Sequence, residues 1–250
     1  MKNNKKQVII IKKEKKQDEI LGGHIMKLII DDANVEAIKA LYEYYPVDGV
    51  TTNPSILAKS GRNPYDVLGE IREIIGQDAE LHVQVISKDA EGMVKEAQVI
   101  REKLGEKTYI KIPTTREGLK AMKALKKDGV NVTATAIYTA QQAFLAGKAG
   151  ADYAAPYINR IDNLGANGIA TAKKIHDIFQ LNNLPTSVLA ASFKNSQQVL
   201  ELAEYGIGAA TVSADVIEGL LKNEVVTSAV DAFIADFEGL VGEGKTMADC

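Results

Sequence analysis

A lysine in the middle of an apolar segment is the first residue that points to chemistry. Lys111 lies within Tyr109-Ile110-Lys111-Ile112-Pro113, a segment with the composition of a buried strand. A lysine is almost never fully buried without a partner or a task, and burial lowers the pKa of its amine because it disfavours the charged form. Lys111 is therefore a candidate nucleophile that forms an imine with a carbonyl substrate. The alternative is a structural ion pair with a carboxylate such as Asp31.

Other polar side chains recur within apolar segments, and a spacing of two residues puts them on shared faces of predicted strands. The sets that share a face are Thr51 with Asn53, Asn131 with Thr133 and Thr135, and Tyr153 with Tyr157. Parallel strands are covered on both faces, so a polar side chain there costs free energy unless it is paired. In a parallel barrel, active sites lie at the carboxyl-terminal ends of the strands. The residues that we expect at that end are Asp31, Asn53, Gln84, Lys111, Thr135, Tyr157 and Ser192.

The elements that must hold these residues alternate regularly from residue 27 onward. Short segments rich in β-branched residues are predicted strands, and they are separated by stretches of helical periodicity such as 88–104. The eight predicted strands are 27–32, 49–53, 80–85, 108–113, 131–137, 153–158, 187–192 and 209–214. Eight strand–helix units in about 225 residues favour the α/β class and a single-domain (β/α)8 TIM barrel spanning residues 26–250. An open doubly wound sheet is the alternative, although its usual GxGxxG turn does not follow the first strand.

Residues 224–240 predict an extra C-terminal helix after the eighth unit, because apolar residues form one stripe along it. The stripe contains Val226, Ala229, Val230, Phe233, Phe237 and Leu240. It can pack on the core, cap the barrel or dock on a neighbouring subunit. The segment from Gly239 to Thr246 fits the GxxxxGK[ST] phosphate-loop pattern. A predicted helix rather than a strand precedes it, so we do not expect a nucleotide site there.

The composition restricts the class of protein. The chain has 250 residues, of which 46% are hydrophobic, and its single cysteine is Cys250. We therefore expect a globular protein of the reducing cytoplasm without an intrachain disulfide. The apolar runs are too short to predict a membrane span or a signal peptide. The three histidines show no metal-ligand spacing, and we expect no metal site.

The first 25 residues differ in charge from the rest of the chain. They carry seven lysines against three acidic residues, which leaves a local charge of +4. They contain no aromatic residue that could stack on a base, so we favour a solvated or spurious basic extension over nucleic-acid binding. Glycine codons begin with GG, so the adjacent codons of Gly22 and Gly23 can contain a bacterial ribosome-binding sequence GGAGG. They lie at a suitable distance upstream of Met26. We therefore expect translation to begin at Met26.

Seven sequence blocks, in this order, resemble the transaldolase family and specifically its fructose-6-phosphate aldolase branch. They are GVTTNPS (49–55), HVQV (82–85), AEGMV (90–94), YIKIPTT (109–115), EGLKAMKAL (117–125), APYINRID (155–162) and VLAASFK (188–194). The resemblance extends from Met26 to about residue 240. It implies class I aldol chemistry through an imine (Schiff base) on a sugar-phosphate substrate, with neither a metal ion nor an organic cofactor.

The resemblance also implies a role for each matching residue. Lys111 forms the imine, and the protonated imine accepts the electrons of the C3–C4 bond when that bond breaks. Tyr157 is implied as the acid/base partner, and Gln84 and Thr135 position a proton-shuttling water together with it. Asp31 is also implied in catalysis, where it holds the hydroxyls of the dihydroxyacetone portion. The residues implied in substrate binding are Thr51, Asn53 and, for the distal phosphate, Arg160, Ser192 and Lys194. Structural roles are the alternative, in which Arg160 pairs with Asp162, Tyr157 packs in the core and Ser192 caps the following helix.

Two positions distinguish the branches of the family. Transaldolases carry Glu where Gln84 stands and Phe where Tyr157 stands. Because Gln has no titratable proton and a phenol can act through water instead, this pair favours an aldolase that cleaves fructose 6-phosphate to dihydroxyacetone and glyceraldehyde 3-phosphate. The alternatives are a transaldolase that transfers the dihydroxyacetone unit between sugar phosphates and a non-catalytic barrel that binds a sugar phosphate. The resemblance also implies a homo-oligomeric ring, reported as a decamer in relatives, with Phe233 and Phe237 against a neighbour.

Overall fold

The computed structural model of the protein describes residues 25–250, which form a closed barrel of eight parallel strands. The strands are β1 (Lys27–Asp31), β2 (Gly49–Thr51), β3 (Glu80–Gln84), β4 (Tyr109–Pro113), β5 (Val132–Ile137), β6 (Tyr153–Pro156), β7 (Ser187–Ala190) and β8 (Ala209–Val212). Each strand pairs with the next one in the chain, and β8 pairs with β1. The predicted (β/α)8 barrel and all eight predicted strands are confirmed. Six of the predicted strands extend one or two residues too far at their carboxyl-terminal ends.

Helices follow the strands and cover the outside of the barrel. They are α1 (Val35–Tyr44), α2 (Pro54–Lys59), α3 (Pro64–Ile75), α4 (Ala90–Leu104), α5 (Arg116–Lys127), α6 (Ala140–Lys148), α7 (Ile158–Asn163), α8 (Gly168–Leu181), α9 (Ser196–Tyr205), α10 (Ala214–Leu221) and α11 (Glu224–Val241). A short 3-10 helix, Met247–Asp249, comes after α11. The alternation follows from the sequence pattern, because strands with two buried faces need a layer of helices on the outside.

Helix α4 illustrates how the sequence specifies these elements. Asp89 precedes it, and its side chain accepts a hydrogen bond from the N–H of Gly92, as expected of an N-cap. The helix buries one face, made of Ala90, Met93, Ala97, Ile100 and Leu104. Its C-cap is Gly105, with φ +98°, a conformation that glycine adopts without strain. The helical periodicity over 88–104 is therefore confirmed.

A polar cluster lies inside the amino-terminal end of the barrel. Glu80 accepts hydrogen bonds from Lys27 and from the Tyr153 hydroxyl, and its second oxygen lies 3.2 Å from Nε2 of His82. Nδ1 of the fully buried His82 lies 2.8 Å from Oγ1 of Thr133. Tyr153, which was predicted to share a strand face with Tyr157, belongs to this cluster. It begins β6, so its side chain lies at the opposite end of the barrel from that of Tyr157.

Strand β5 contains a backbone irregularity beside the carboxyl-terminal end. Its pairing with β6 changes register between Ala134 and Ile137. Within this interval Ala136 has φ +56°, in the left-handed region that residues other than glycine seldom adopt. The irregularity has the character of a β-bulge, which redirects the side chains around it. Thr135 directly precedes Ala136, and Tyr138 lies two residues after it.

Helix α11 lies outside the packed core. None of its residues is buried, and its exposed apolar side chains include Val226, Phe233 and Leu240. The extra C-terminal helix is thus confirmed, but it does not pack on the core of its own barrel. The segment 239–246 begins in the last turn of this helix and continues through Gly242, which is the C-cap. No strand precedes the segment among the described residues, so its context differs from that of a phosphate-binding loop.

Two sequence-based expectations concern the ends of the chain and membranes. Within residues 25–250, no helix has the length and apolar character needed to traverse a bilayer. The basic extension predicted at residues 1–25 falls outside the described residues apart from Ile25. The interpretation of that extension and the start at Met26 stay predictions.

Gly118 lies in the first turn of α5, close to the end of β4, the strand that carries Lys111. A Cβ atom on Gly118 would lie 1.9 Å from the carbonyl oxygen of Pro113. We expect Gly118→Ala to lower the free energy of unfolding by about 2–3 kcal/mol, because the backbone must shift to relieve the overlap. Urea denaturation followed by circular dichroism measures the change.

Gly69→Ala in α3 is the matched control, since a Cβ atom there meets nothing within 4 Å. Alanine in a helix interior is favoured over glycine by about 1 kcal/mol, so this variant should be as stable as the unmodified protein or more stable. Equal effects of the two substitutions would contradict the packing argument for Gly118.

Candidate active site

The barrel brings most of the predicted site residues to its carboxyl-terminal end. Asp31, Thr51 and Gln84 are the last residues of β1, β2 and β3. Lys111 lies in the middle of β4, where its Cα is in register with Gln84 on one side and Thr133 on the other. Paired residues of neighbouring strands point their side chains to the same face. Gln84 and Lys111 therefore share the interior of the barrel.

The Lys111 amine is almost completely withdrawn from solvent. The residue is 5% exposed, and its Nζ donates a hydrogen bond of 2.8 Å to the main-chain carbonyl of Thr52. Burial lowers the pKa of Lys111, while the charge of Asp31 acts in the opposite direction. No carboxylate oxygen of the described residues lies within 4.0 Å of Nζ, so the alternative of a direct ion pair with Asp31 is not observed. The amine is thus held in conditions that favour its neutral, nucleophilic form.

Asp31 faces the same interior from the end of β1. Its Oδ1 accepts a hydrogen bond of 2.8 Å from the Thr51 hydroxyl, and this hydroxyl also lies 2.7 Å from that of Thr211. Burial raises the pKa of Asp31, and the Lys111 charge and the Thr51 hydrogen bond oppose this rise. The pKa values of Asp31 and Lys111 therefore shift in opposite directions, each towards the neutral form of its group. Such divergent shifts in neighbouring groups are typical of functional sites.

Asn53 has a structural task that limits its other contacts. It is the N-cap of α2, and its side-chain oxygen accepts hydrogen bonds from the N–H groups of Ser55 and Ile56 at 3.0 Å each. The oxygen is therefore committed to the helix, and the side-chain NH2 is the group that can donate to a ligand. A donor suits the oxygen of a hydroxyl or carbonyl group.

Tyr157 and Thr135 form a hydrogen-bonded pair. The phenol oxygen of Tyr157 lies 2.8 Å from Oγ1 of Thr135, which is buried within β5. The backbone N–H of Tyr157 donates a hydrogen bond of 3.1 Å to the Ile137 carbonyl. On its other side, Tyr157 forms an isolated parallel bridge with Ala191. Tyr157 is only partly buried, so core packing does not account for its hydroxyl. One of the two hydroxyl protons lies in this hydrogen bond, and the other can be donated at the carboxyl-terminal end.

Arg160 lies over the Tyr157 ring rather than against an acidic partner. Its guanidinium carbon is 4.7 Å from the ring centroid, within the range of a cation–π contact. The Tyr138 hydroxyl, as a hydrogen-bond partner, raises the pKa of Arg160, and the charge of Asp31 adds to this rise. The proposed structural pair with Asp162 is not observed, because the oxygens of Asp162 accept from Gly168 and Gln198. Arg160 is thus the positive group that shares this end with Asp31.

The two remaining predicted residues differ in how well the geometry accounts for them. Ser192 has φ +62° and its carbonyl accepts from the N–H of Asn159 at 2.8 Å, which joins it to the first turn of α7. It does not cap α9, since the N-cap of that helix is Asn195. Lys194 is exposed, and the contact that fixes it is made by its backbone N–H with the Gln198 side chain. A role for the Lys194 amine stays a prediction.

Three residues of this end were missed by the sequence argument. Tyr138 follows β5 directly, and its position after a strand was the available signal. Thr211 is a polar residue in the buried segment AATV of β8, which is the same signal that identified Thr51. Thr52 contributes a main-chain oxygen, and no side-chain pattern can reveal such a contact.

The arrangement as a whole suits carbonyl chemistry. A neutral amine can add to a ketone, a hydroxyl pair can carry a proton, and a guanidinium can bind an anionic group at the mouth. Among residues 25–250, no three His, Cys, Asp or Glu side chains are grouped as metal ligands would be.

Comparison with known proteins finds a family match and close relatives. Residues 28–247 match the model of the family described as Transaldolase/Fructose-6-phosphate aldolase. The chain is 43% identical over 213 residues to a probable fructose-6-phosphate aldolase of Streptococcus pneumoniae, which covers 85% of this chain and 96% of the relative. It is 41% identical over 213 residues to a probable transaldolase of Methanococcus maripaludis, with 85% and 98% covered. It is 40% identical over 215 residues to a probable transaldolase of Clostridium botulinum, with 86% and 99% covered.

A solved structure with a similar architecture is a dipeptide epimerase from Enterococcus faecalis V583. The TM-score is 0.53 at 20% sequence identity, over 76% of this chain and 56% of the epimerase. The chain thus spans little more than half of that protein, and the likeness concerns the barrel fold alone.

The environment of Lys111 predicts a pH dependence of its reactivity. Burial lowers the pKa of Lys111, so the neutral amine forms at lower pH than in an ordinary lysine. We expect reductive methylation with formaldehyde and cyanoborohydride to reach half its maximal rate at Lys111 below pH 10.5, the ordinary value. Peptide mass spectrometry measures this rate, with the exposed Lys39 as the internal reference.

Two variants test the cause of this shift. Because the charge of Asp31 raises the pKa of Lys111, Asp31→Asn should move the half-maximal pH of Lys111 further down. Asp66→Asn on α3 is the control, since Asp66 is exposed and is not among the charges that act on the pKa of Lys111 or of Asp31. A half-maximal pH at or above 10.5 in the unmodified protein would show that burial does not govern the amine.

Proposed function

Because the chain belongs to the transaldolase/fructose-6-phosphate aldolase family of enzymes, we propose that it is a class I aldolase acting on a ketose phosphate. The reaction is the reversible cleavage of fructose 6-phosphate to dihydroxyacetone and glyceraldehyde 3-phosphate. The observation that carries the proposal is the buried Lys111 amine, which has a lowered pKa and no carboxylate partner within 4.0 Å among the described residues. A purely structural lysine would be expected to have such a partner.

In this mechanism the amine of Lys111 adds to the C2 carbonyl of the ketose, and loss of water gives a protonated imine. A base removes the proton of the C4 hydroxyl, the C3–C4 bond breaks, and its electrons move towards the imine nitrogen. Glyceraldehyde 3-phosphate leaves, and an enamine of dihydroxyacetone remains on Lys111. Protonation at C3 and hydrolysis of the imine then release dihydroxyacetone and restore the amine.

Tyr157 is the group to which we assign proton transfer. Its hydroxyl is bound to Thr135 at 2.8 Å, and Gln84 stands beside Lys111 in the register of β3 and β4. These three side chains can hold one water between them, through which the phenol exchanges protons with the substrate. Gln84 has no titratable proton, so the acid/base task falls to Tyr157.

We assign the two ends of the substrate from the same arrangement. Asp31, Thr51 and the side-chain NH2 of Asn53 face the dihydroxyacetone portion, where they can bind its hydroxyls. Arg160 and Ser192 lie towards the mouth and receive the distal phosphate, to which arginine can donate two charge-assisted hydrogen bonds. The exposed Lys194 adds a positive charge on the same loop after β7. We place the reaction in the cytoplasm, as expected for a chain with one cysteine.

Transaldolase activity is the second candidate, and the curated names favour it in part. Relatives that are 40–41% identical are named probable transaldolases, whereas the 43% identical relative is named a probable fructose-6-phosphate aldolase. A transaldolase must keep its enamine until an aldose acceptor arrives. The residues Gln84 and Tyr157 favour reprotonation and hydrolysis instead, which is the aldolase outcome.

The test is release of glyceraldehyde 3-phosphate from fructose 6-phosphate without any acceptor aldose. We expect release to continue over many turnovers, because the enamine is protonated and hydrolysed. A burst of about one equivalent per active site, which resumes only when erythrose 4-phosphate is added, would instead identify a transaldolase. Borohydride trapping with dihydroxyacetone tests the imine itself, and absence of a covalent mass increase on Lys111 would leave only a binding role.

Tyr157→Phe tests the role of the phenol in the same assay. We expect this variant to lose aldolase turnover by a factor of about 10² or more, the usual contribution of a positioned acid/base group, and to gain transfer to erythrose 4-phosphate. Imine trapping on Lys111 should persist. Unchanged aldolase turnover would contradict the assignment of Tyr157.

We also propose that the protein is a homo-oligomer assembled through α11, in line with the ring expected above. The helix buries none of its residues in its own subunit, and Phe233 is 70% exposed. An apolar stripe of this kind is typical of an interaction surface. Phe233 and Phe237 lie on the same side of the helix, four residues apart.

Light scattering at micromolar concentration tests this assembly. We expect the unmodified chain to be oligomeric and Phe233→Asp to dissociate it, because the new charge would be buried at the interface. Ala235→Asp adds the same charge to an exposed position on the other side of α11 and should leave the mass unchanged. A monomeric unmodified protein would remove the proposal.

A further inference from the structure

A glutamine in the first turn of α9 joins the two segments that carry the proposed phosphate-binding residues. Oε1 of Gln198 accepts a hydrogen bond of 2.8 Å from the backbone N–H of Lys194, in the loop 191–195 after β7. Its Nε2 donates a hydrogen bond of 3.0 Å to Oδ2 of Asp162, in the helix after β6. One contact needs an acceptor and the other needs a donor, and a side-chain amide provides both. Gln198 therefore links α7 to the loop 191–195.

Arg160 lies between two points at which α7 is connected to that loop. At the start of the helix, the N–H of Asn159 donates a hydrogen bond of 2.8 Å to the Ser192 carbonyl. Two residues after Arg160, Asp162 makes the contact with Gln198. Helix α7 has only six residues, so these two contacts restrain most of its length. The backbones of Arg160 and Ser192 are therefore held in one arrangement.

Gln198 also binds the acidic side chain that is nearest to Arg160 in the chain. Oδ1 of Asp162 accepts a hydrogen bond of 2.7 Å from the N–H of Gly168, and Oδ2 accepts from Gln198. With both oxygens engaged, the carboxylate does not pair with Arg160, whose guanidinium lies over the Tyr157 ring. An ion pair with Asp162 would compete with a phosphate for that guanidinium.

We propose that Gln198 is a positioning residue that makes the site selective for phosphorylated aldehydes and ketoses. It holds the loop 191–195 against α7 and keeps Asp162 from pairing with Arg160. This inference rests on the proposed function and deepens it, because it concerns how the same site binds the phosphate of its substrate. A loop that is already ordered loses less conformational entropy when a ligand binds. We assign Gln198 no contact with the substrate, so removing it should weaken phosphate binding and leave the reaction at Lys111 unchanged.

The experiment measures synthesis from dihydroxyacetone with two aldehydes, glyceraldehyde 3-phosphate and unphosphorylated glyceraldehyde. Gln198→Met keeps an unbranched side chain of similar length and removes both hydrogen bonds. We expect KM for glyceraldehyde 3-phosphate to rise roughly 5–10-fold, the net contribution of about one hydrogen bond, and kcat to stay within about twofold. KM and kcat for glyceraldehyde should be unchanged. Gln197→Met is the matched control, because Gln197 lies in the same turn but is exposed.

An exchange of charge tests the contact with Asp162 directly. In Gln198→Glu, one carboxylate oxygen can still accept from the Lys194 N–H, but the other faces the carboxylate of Asp162. We expect KM for glyceraldehyde 3-phosphate to rise at least as much as in Gln198→Met. Adding Asp162→Asn restores a donor opposite an acceptor, because the new amide can donate to the new carboxylate while its oxygen still accepts from Gly168. This double variant should recover KM to within about threefold of the unmodified protein.

Recovery in the double variant distinguishes a hydrogen-bonded link from a side chain that only fills space. Circular dichroism and urea denaturation establish that each variant is folded, and Gln198→Glu decides the proposal if Gln198→Met does not fold. Equal changes in KM for the two aldehydes, or no change with either, would overturn the proposal. So would an equal effect of Gln197→Met, or a double variant that is no better than Gln198→Glu alone.

Failure of the proposed function is distinguished by imine trapping on Lys111 with dihydroxyacetone, which does not need Gln198. If the unmodified protein shows no turnover, calorimetric titration with glycerol 3-phosphate replaces the kinetic assay. The dissociation constant should then rise roughly 5–10-fold in Gln198→Met. An unchanged constant, or no binding by the unmodified protein, would equally overturn the proposal.

Discussion

The cost of keeping a charge out of water is the constraint on which this site depends. A protonated amine loses its hydration when eight strands close around it, whereas the neutral amine loses much less. Lys111 is held in that interior by a main-chain oxygen, which offers a hydrogen bond but no full negative charge. Asp31 supplies a charge at greater distance and limits the shift. The reactivity that we assign to Lys111 thus comes from barrel closure rather than from a neighbouring base.

The two ends of the barrel solve the problem of buried polarity differently. At the amino-terminal end, hydrogen bonds from His82 and Lys27 lower the pKa of Glu80 to about 2 in spite of its burial, and the cluster is satisfied within itself. Because Glu80 is ionised, Nε2 of His82 donates to it, and burial lowers the pKa of the imidazole. At the carboxyl-terminal end, Arg160 has no carboxylate partner within 4.0 Å among the described residues, and Asn53 keeps donor capacity. The groups of the first end are paired with one another, whereas the second end has groups left for a ligand.

The sequence predicted the barrel because its signals were local and repeated. Alternation of β-branched segments and amphipathic stretches identified eight strands, and an isolated lysine in one of them identified Lys111. Residue spacing predicted the face that Tyr153 shares with Tyr157, but not that the two side chains lie at opposite ends of the barrel, because that depends on where the strand begins. Tyr138 and the Thr52 carbonyl were missed because their contacts join segments that are distant in the chain or involve main-chain atoms. The register change at Ala136 has no counterpart in residue type, since alanine gives no signal of a positive φ.

The separation between the ends also bears on how such barrels diversify. Substitutions at the mouth do not alter the Lys27–Glu80–His82 cluster. Because distant sites affect the free energy of unfolding independently, a destabilising side chain at the mouth does not weaken the contacts at the other end. Lineages can therefore change the groups at the mouth while they keep the same amino-terminal cluster. Relatives that are 40–43% identical and carry two different activity names fit a history of this kind.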